Sequence, residues 1–212
     1  MTAPMHPHAA MVDRPWPRAT YEDWLVRLAR LSAADRERLV IQATELTDPA
    51  DRASARALAL ALGLRGETAP ALAAVDALIG TVADDVVELL ELNLVRARIG
   101  LATQEAAATE TALDDLAAAE ALVEIARLGG RRAPIYGWRG VGDRTLGRFA
   151  DMMASFRAGI AAITPETDPI DAAILWNNFG LAQLEFGLDE AAAEALQQAL
   201  AIFKPLGATR YL

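Results

Sequence analysis

The sequence predicts an all-α fold, a right-handed α-solenoid built from antiparallel helical hairpins. Hydrophobic residues make up 53% of the 212 residues and are dominated by Ala and Leu, which favour closely packed helices. Alternating runs of β-branched residues between turn signals, which would indicate strands, do not occur in the sequence. Paired helical patterns also recur, and the breaks at Gly147 and Gly187 set an interval of about 40 residues.

Residues 1–18 are predicted to be a flexible tail, because Pro4, Pro7 and Pro15 interrupt any helical period. Residues 19–212 are then predicted to form one helical repeat domain. The tail lacks the apolar core of a signal peptide, and the sequence has no apolar span of about 18 residues that could cross a membrane. We therefore expect a cytoplasmic protein.

The overall charge argues against two classes of partner. The formal net charge is −9 with a pI near 4.8, which disfavours binding to nucleic acid or to an anionic membrane. Cysteine is absent, so disulfides and thiolate metal sites are excluded.

Two capping boxes predict the first helices. Thr20 with Asp23, and Ser32 with Asp35, each place a hydroxyl at the N-cap and a carboxylate three residues later. The predicted helices span 20–31 and 33–47.

A second type of start follows, with an N-cap Asp before a Pro at the first helical position. Asp48 and Pro49 start a third helix that we expect to end near Leu64. The same Asp-Pro pair recurs at 168–169. Because the signal appears at two distant places, it supports a repeated architecture.

The middle of the chain predicts two further hairpins. Gly66 separates two apolar helical patterns and marks the turn of a degenerate hairpin. The next hairpin covers about 84–128, with a polar break around 103–105 and an end at Gly129 and Gly130.

The most regular pattern lies in 173–205, where two helical patterns flank a break at Gly187. Small residues at Gly180, Ala192 and Ala199 permit close approach of the two helices. One hairpin cannot bury its apolar face alone, so this pattern predicts neighbouring repeats.

This stretch resembles a tetratricopeptide repeat. Trp176 takes the aromatic place, Phe179 and Gly180 the Leu-Gly place, and Gly187 the turn glycine. The remaining packing places are filled by Ala192, Leu196, Ala199 and Leu200, with Pro205 one residue late. The best-matched repeats are 133–166 and 173–206, and the interval between them is longer than the standard repeat of this family.

The resemblance implies a non-enzymatic protein-interaction scaffold of a long-repeat type known from bacteria. In this family a peptide or protein partner binds in a concave groove lined by the first helix of each repeat. Carried onto this chain, the groove positions are Pro134, Gly137, Trp138, Val141 and Arg144, followed by Ile174, Asn177, Asn178, Leu181 and Leu184. We expect Trp138, Arg144, Asn177, Asn178 and Leu181 to contact the partner.

The two asparagines have two interpretations. An amide can pair with the donor and the acceptor of a bound peptide backbone. Alternatively, Asn177 and Asn178 are polar residues that face solvent.

The stretch 131–148 is the most unusual, because five arginines gather there in an acidic protein. They are Arg131, Arg132, Arg139, Arg144 and Arg148. One hypothesis is a sensor site for a small anionic ligand, with Trp138 as an apolar wall. The alternative is a frayed, solvated helix whose arginines pair with neighbouring acids. Glycines at 137, 140 and 142 weaken the helix that the repeat requires.

Catalysis has little support in the sequence, and no cofactor is indicated. The histidines are His6 and His8, both in the predicted tail, so the folded body offers no imidazole base. The two could bind a metal weakly, but a tail without further ligands does not make a metal site.

The last hairpin raises a separate expectation. Leu196, Leu200 and Phe203 are expected to face outward, since a short segment alone follows them. We therefore expect a homodimer through the C-terminal hairpin, or a further element beginning in 206–212.

Overall fold

The computed structural model describes residues 28, 31–44, 49–82 and 84–206. The predicted tail, the capping box at Thr20 and nearly all of the predicted helix 20–31 lie outside these residues. The structure divides at Thr103 and Gln104 into two compact units.

The predicted fold class is confirmed, since every regular element within the described ranges is helical and neighbouring helices of a unit pair as antiparallel hairpins of the α-solenoid type. Unit 1 contains α1 (Ala33–Thr44), α2 (Pro49–Leu64), α3 (Thr68–Thr81) and α4 (Val86–Ala102). Unit 2 contains α5 (Ala106–Ala126), a 3-10 turn (Gly129–Arg131), α6 (Arg132–Thr145), α7 (Phe149–Ala161), α8 (Pro169–Glu185) and α9 (Asp189–Phe203).

Two of the predicted helix starts are confirmed at the level of hydrogen bonds. The Asp35 N–H donates to Ser32 Oγ over 3.2 Å, and Ser32 Oγ donates to Asp35 Oδ2 over 2.7 Å. At α8 the Ile170 N–H donates to Asp168 Oδ1 over 2.8 Å, with Pro169 at the first helical position. These caps satisfy backbone donors that a helix start leaves unpaired.

The predicted turns are also confirmed. Each contains one residue with positive φ, and these are Gly66 (84°), Gln104 (57°), Gly147 (70°) and Gly187 (68°). After each glycine, the next N–H reaches back five residues to a carbonyl; these bonds are Glu67 to Leu62 (3.0 Å), Arg148 to Asp143 (2.8 Å) and Leu188 to Gln183 (3.0 Å). This is the Schellman pattern, which favours glycine because its central residue is left-handed.

The four turns share one register of burial. Five residues after each turn the side chain is fully buried, at Ala71, Thr109, Met152 and Ala192. Twelve residues after each turn the residue is again buried, at Leu78, Leu116, Gly159 and Ala199. The residue seven positions before each turn residue is small and buried; these residues are Ala59, Ala97, Gly140 and Gly180. The same burial register therefore occurs in the helices before residue 130.

Close helix approach at the small position is visible in the last two hairpins. A Cβ added to Gly140 would lie 2.7 Å from the Phe156 ring, and one added to Gly180 would lie 2.8 Å from Leu196 Cγ. The two contacts occupy equivalent places of their hairpins, counted from the turn glycines. The glycines therefore allow the paired helices to approach more closely than alanine would.

The end of the last hairpin differs from the expectation. Phe203 is 1% exposed and packs in a cluster with Ala173 and Ala199, so the prediction that it faces outward is wrong. It lies one turn after Ala199 on the buried side of α9, where it covers the start of α8. Leu200 and Leu206 are 44% and 48% exposed.

None of the described helices is both long enough and apolar enough to cross a membrane.

Candidate partner-binding face

The helices α6 and α8, which come first in their hairpins, lie side by side in unit 2. Leu175 of α8 fits against two glycines, since a Cβ added to Gly137 or to Gly159 would lie 3.3 Å or 3.0 Å from its side chain. The glycine-rich stretch thus forms a complete helix, and its glycines make room for α8. The expectation of a frayed helix is wrong, because this packing outweighs the low helix propensity of glycine.

A shallow cleft lies between these helices, which we call the α6–α8 cleft. Its lining residues are Pro134, Gly137, Trp138, Asp171, Ile174, Leu175 and Asn178. The cleft offers about 10 Å³ to a water-sized molecule, roughly one water. A small-molecule ligand would need a far larger cavity, so this shape suits surface contact with a larger partner.

The structure brings two of the five predicted contact residues together in this cleft, namely Trp138 and Asn178. The other three lie outside its lining. Asn177 is half-buried beside Asn178, and Leu181 is 40% exposed one turn further along α8. Arg144 is exposed near the end of α6.

Neither predicted amide hydrogen-bonds another residue in the described part of the chain: Asn177 and Asn178 both keep free donors and acceptors. Asn178 is half-buried and lines the cleft together with Trp138 and Leu175. A polar group in this setting can bind an extended backbone, because the amide offers both a donor and an acceptor.

The five clustered arginines are all paired with acids. Arg131 lies 3.8 Å from Asp171 and Arg139 lies 2.8 Å from Glu120. The remaining pairs are Arg132 with Glu124, Arg144 with Glu185 and Arg148 with Glu110. The interpretation in which these arginines pair with neighbouring acids is therefore confirmed, and the sensor-site hypothesis is not favoured. Four of the pairs join two different elements, and Arg148 lies in the turn between α6 and α7.

One polar cluster was missed by the sequence reasoning. Glu120 of α5 accepts hydrogen bonds from Tyr136 Oη (2.6 Å) and from Arg139 (2.8 Å), and Arg139 lies over the Tyr136 ring at 5.4 Å. Partial burial acts to raise the pKa of Glu120, but the two hydrogen bonds lower it overall. The hydrogen bond to Glu120 raises the pKa of Tyr136. Only the pairing of α5 with α6 could reveal this cluster, since Tyr136 and Arg139 are 16 and 19 positions from Glu120.

A second buried pair joins α6 to α7. Ser155 Oγ donates to Asp143 Oδ2 over 3.0 Å, and both residues are buried. Burial raises the pKa of the Asp143 carboxyl, although the Ser155 hydrogen bond acts in the opposite direction.

A larger depression of about 400 Å³ lies where the 3-10 turn approaches the loop before α8. Its lining residues are Arg127, Leu128, Gly129, Gly130, Arg131 and Glu166. Charges of both signs line it, so it does not select a ligand by charge. Among the described residues, no group of three or more His, Asp or Glu could hold a metal ion, and His6 and His8 lie outside them.

No family model and no curated protein matches the chain. Two similar solved structures carry the titles "MamA MSR-1 C2" and "MamA RS-1 ArsTM double mutant". The first is 16% identical with a TM-score of 0.46, and the match covers 87% of this chain and 95% of that one. The second is 14% identical with a TM-score of 0.49, and the match covers 96% and 99%. These scores carry no argument about function.

Proposed function

We propose that this chain is a non-enzymatic protein-interaction scaffold that binds a peptide or protein partner along α6 and α8. The observation that carries the proposal is the half-buried Asn178 amide, which lies beside Trp138 without a hydrogen-bond partner among the described residues. A half-buried polar group of this kind gains most when a partner supplies its hydrogen bonds.

In this proposal the partner lies across the α6–α8 cleft as an extended segment. Asn178 pairs with its backbone, and Trp138 packs against an apolar side chain. Asn177 and Leu181 extend the contact along α8. Arg144 contributes at the far end, where its pair with Glu185 sets the local charge.

The repeats are best assigned to a long, tetratricopeptide-like type with a period of about 40 residues. The burial register shared by the four turns supports this assignment. A cytoplasmic location, no cofactor and no binding of nucleic acid or membrane belong to the same proposal, which the acidic charge supports.

The homodimer through the C-terminal hairpin stays a prediction. Exposed Leu200 and Leu206 support it, whereas buried Phe203 removes the largest apolar residue from the expected interface.

The test is capture of partners by the intact tagged protein, followed by affinity measurement with the purified partner. We expect Trp138→Ala and Asn178→Ala each to weaken binding by about tenfold or more, as for central residues of an interface. Gln197→Ala is the matched control, because this residue is exposed on α9 away from the cleft. Equal affinity of the three variants would exclude the cleft as the binding face, as would equal capture by an Asn177→Ala/Asn178→Ala double variant.

A further inference from the structure

Two hairpins of unit 2 can be compared position by position when their turn glycines, Gly147 and Gly187, are aligned. In α6–α7, Val141, Met153 and Ile160 pack in one cluster with residues of α8. Their equivalents in α8–α9 are Leu181, Ala193 and Leu200. Leu181 and Leu200 are 40% and 44% exposed, and Ala193 is exposed as well. We call these three residues the end face.

We propose that the end face binds an amphipathic helix of a partner protein that carries basic residues on its flanks. The packing of α8 on the preceding hairpin provides the template for this contact. There, Leu175, Phe179 and Ala182 form an apolar stripe with spacing i, i+4, i+7. A helix with an equivalent stripe would cover the end face in the same way.

The charge of the last hairpin selects a basic helix. Residues 168–206 carry six acids and one lysine; the acids are Asp168, Asp171, Glu185, Asp189, Glu190 and Glu194. The preceding hairpin, 131–161, carries six arginines and two aspartates. The interface between these hairpins pairs opposite charges, in Arg131 with Asp171 and Arg144 with Glu185. Asp171 and Glu185 are used in these pairs, and the four other acids leave the last hairpin net acidic. A basic helix complements this charge, whereas the same face of a second copy would oppose acids to acids.

Two positions of the end face side differ from the template. The glycines that receive Leu175 are Gly137 and Gly159, and their equivalents are Asn177 and Ala199. Because Asn and Ala are larger than Gly, this site leaves less room for a leucine. The partner helix therefore carries a small residue such as serine at the first anchor, within reach of the Asn177 amide.

A synthetic peptide can imitate such a helix. The probe is residues 168–186 with Asp171→Arg, Leu175→Ser and Glu185→Arg, and with blocked ends. Its arginines would oppose Arg131 and Arg144 in the native α8 position, so displacement of α8 itself is disfavoured. The matched control peptide keeps Asp171 and Glu185 and carries Leu175→Ser alone.

Binding is measured by fluorescence anisotropy with the intact protein. We expect saturable binding of the basic probe, at least about tenfold weaker binding of the acidic control, and a salt-dependent affinity. In the protein, Leu200→Glu should weaken binding of the probe at least about tenfold, because a carboxylate replaces an apolar contact. Gln197→Glu is the control, because Gln197 is exposed on α9 and its equivalent, Arg157, is exposed in the covered hairpin too.

Circular dichroism shows first that both variants are folded. Equal binding by the Leu200→Glu and Gln197→Glu variants would overturn the proposal, and so would equal affinity for the two peptides. A dimer of the intact protein that Leu200→Glu dissociates, seen by analytical ultracentrifugation, would assign the end face to a second copy instead. Asn177 and Leu181 belong to both proposed contacts, whereas Trp138 lines the α6–α8 cleft alone. Trp138→Ala should therefore leave probe binding unchanged, which distinguishes the end face from the cleft.

Discussion

The α6–α7 and α8–α9 hairpins have the same register but different surroundings. Gly140 against Phe156 has its counterpart in Gly180 against Leu196, so the contact within each hairpin is retained. On the other side, α8 covers α6–α7, whereas the equivalent face of α8–α9 is open. Equivalent positions thus make the same contacts within each hairpin. Whether the outer residues of a hairpin are exposed depends on whether another helix packs against them.

The largest expected effect concerns Phe203, which is buried against Ala173 and Ala199 at the end of α8–α9. Phe203→Ala should lower the free energy of unfolding by about 3–5 kcal/mol, because it empties a fully buried site. Leu200→Ala, at an exposed position of the same helix, should change it by less than about 1 kcal/mol. Urea denaturation of the intact protein measures both. Similar losses of unfolding free energy in the two variants would show that buried Phe203 contributes no more to stability than exposed Leu200.

The glycine contacts test whether the two hairpins are equally tight. Gly140→Ala should destabilise the protein by about 1–3 kcal/mol through overpacking against the buried Phe156 ring. Gly180→Ala should cost less, since half-buried Leu196 can shift. Gly80→Ala is the control; it has open space and should stabilise α3 by about 0.5–1 kcal/mol. Thermal and urea unfolding measure the stability change of each variant. A larger loss of stability in Gly180→Ala than in Gly140→Ala would contradict the expected order.

The hydrogen-bonded polar pair between α6 and α7 has no counterpart in α8–α9. Asp143 with Ser155 corresponds to Gln183 with Ala195, and Gln183 Oε1 is buried without a hydrogen bond. Ser155→Ala should cost about 1–3 kcal/mol, because the buried Asp143 loses its donor. Ala195→Ser should gain about 0.5–1.5 kcal/mol by supplying a donor to Gln183. Urea denaturation decides, and a destabilising Ala195→Ser would show that the two hairpins differ in local geometry here.

The smallest effects are pH dependent and have opposite signs. The pKa of Asp143 is raised from 3.8, so its contribution to stability is lost as pH rises from 3.8 through the higher folded pKa. The pKa of Glu120 is lowered from 4.5, so its contribution is present above 4.5 and is lost as pH falls through the lower folded pKa. As pH rises through the mildly acidic range, the unfolding free energy of the parent should therefore fall relative to that of Asp143→Asn and rise relative to that of Glu120→Gln. A change of the same sign for both variants would contradict these two pKa directions.

Much of the fold could be predicted because its signals are local. Ser32 with Asp35, Asp168 with Pro169, and the turn glycines each act within a few residues. The interval between the turn glycines also placed Trp138 and Asn178 at equivalent positions, which the structure brings into one cleft. Asn177 could be predicted less well, since adjacent helical residues point about 100° apart.

The rest depended on contacts between distant residues. The arginine partners lie as far as 41 positions away, as in Arg144 with Glu185, and no local pattern identifies them. The burial of Phe203 likewise depends on Ala173 and Ile170 of the preceding helix. Sequence patterns show which residues are apolar or charged, but tertiary packing decides what they contact.

The turn register also indicates where the chain tolerates changes in length. The turn residues 66, 104, 147 and 187 are unequally spaced, yet the buried positions five and twelve residues after each turn are kept. The variation in length therefore lies between the twelfth residue after one turn and the seventh residue before the next, in helix ends and in connections such as 162–168 before α8. A residue inserted there leaves both flanking frames intact, whereas one inserted between a turn and its twelfth following residue would rotate the buried side of a helix by about 100°. The hairpin is thus the unit in which this chain can be lengthened, shortened or exchanged.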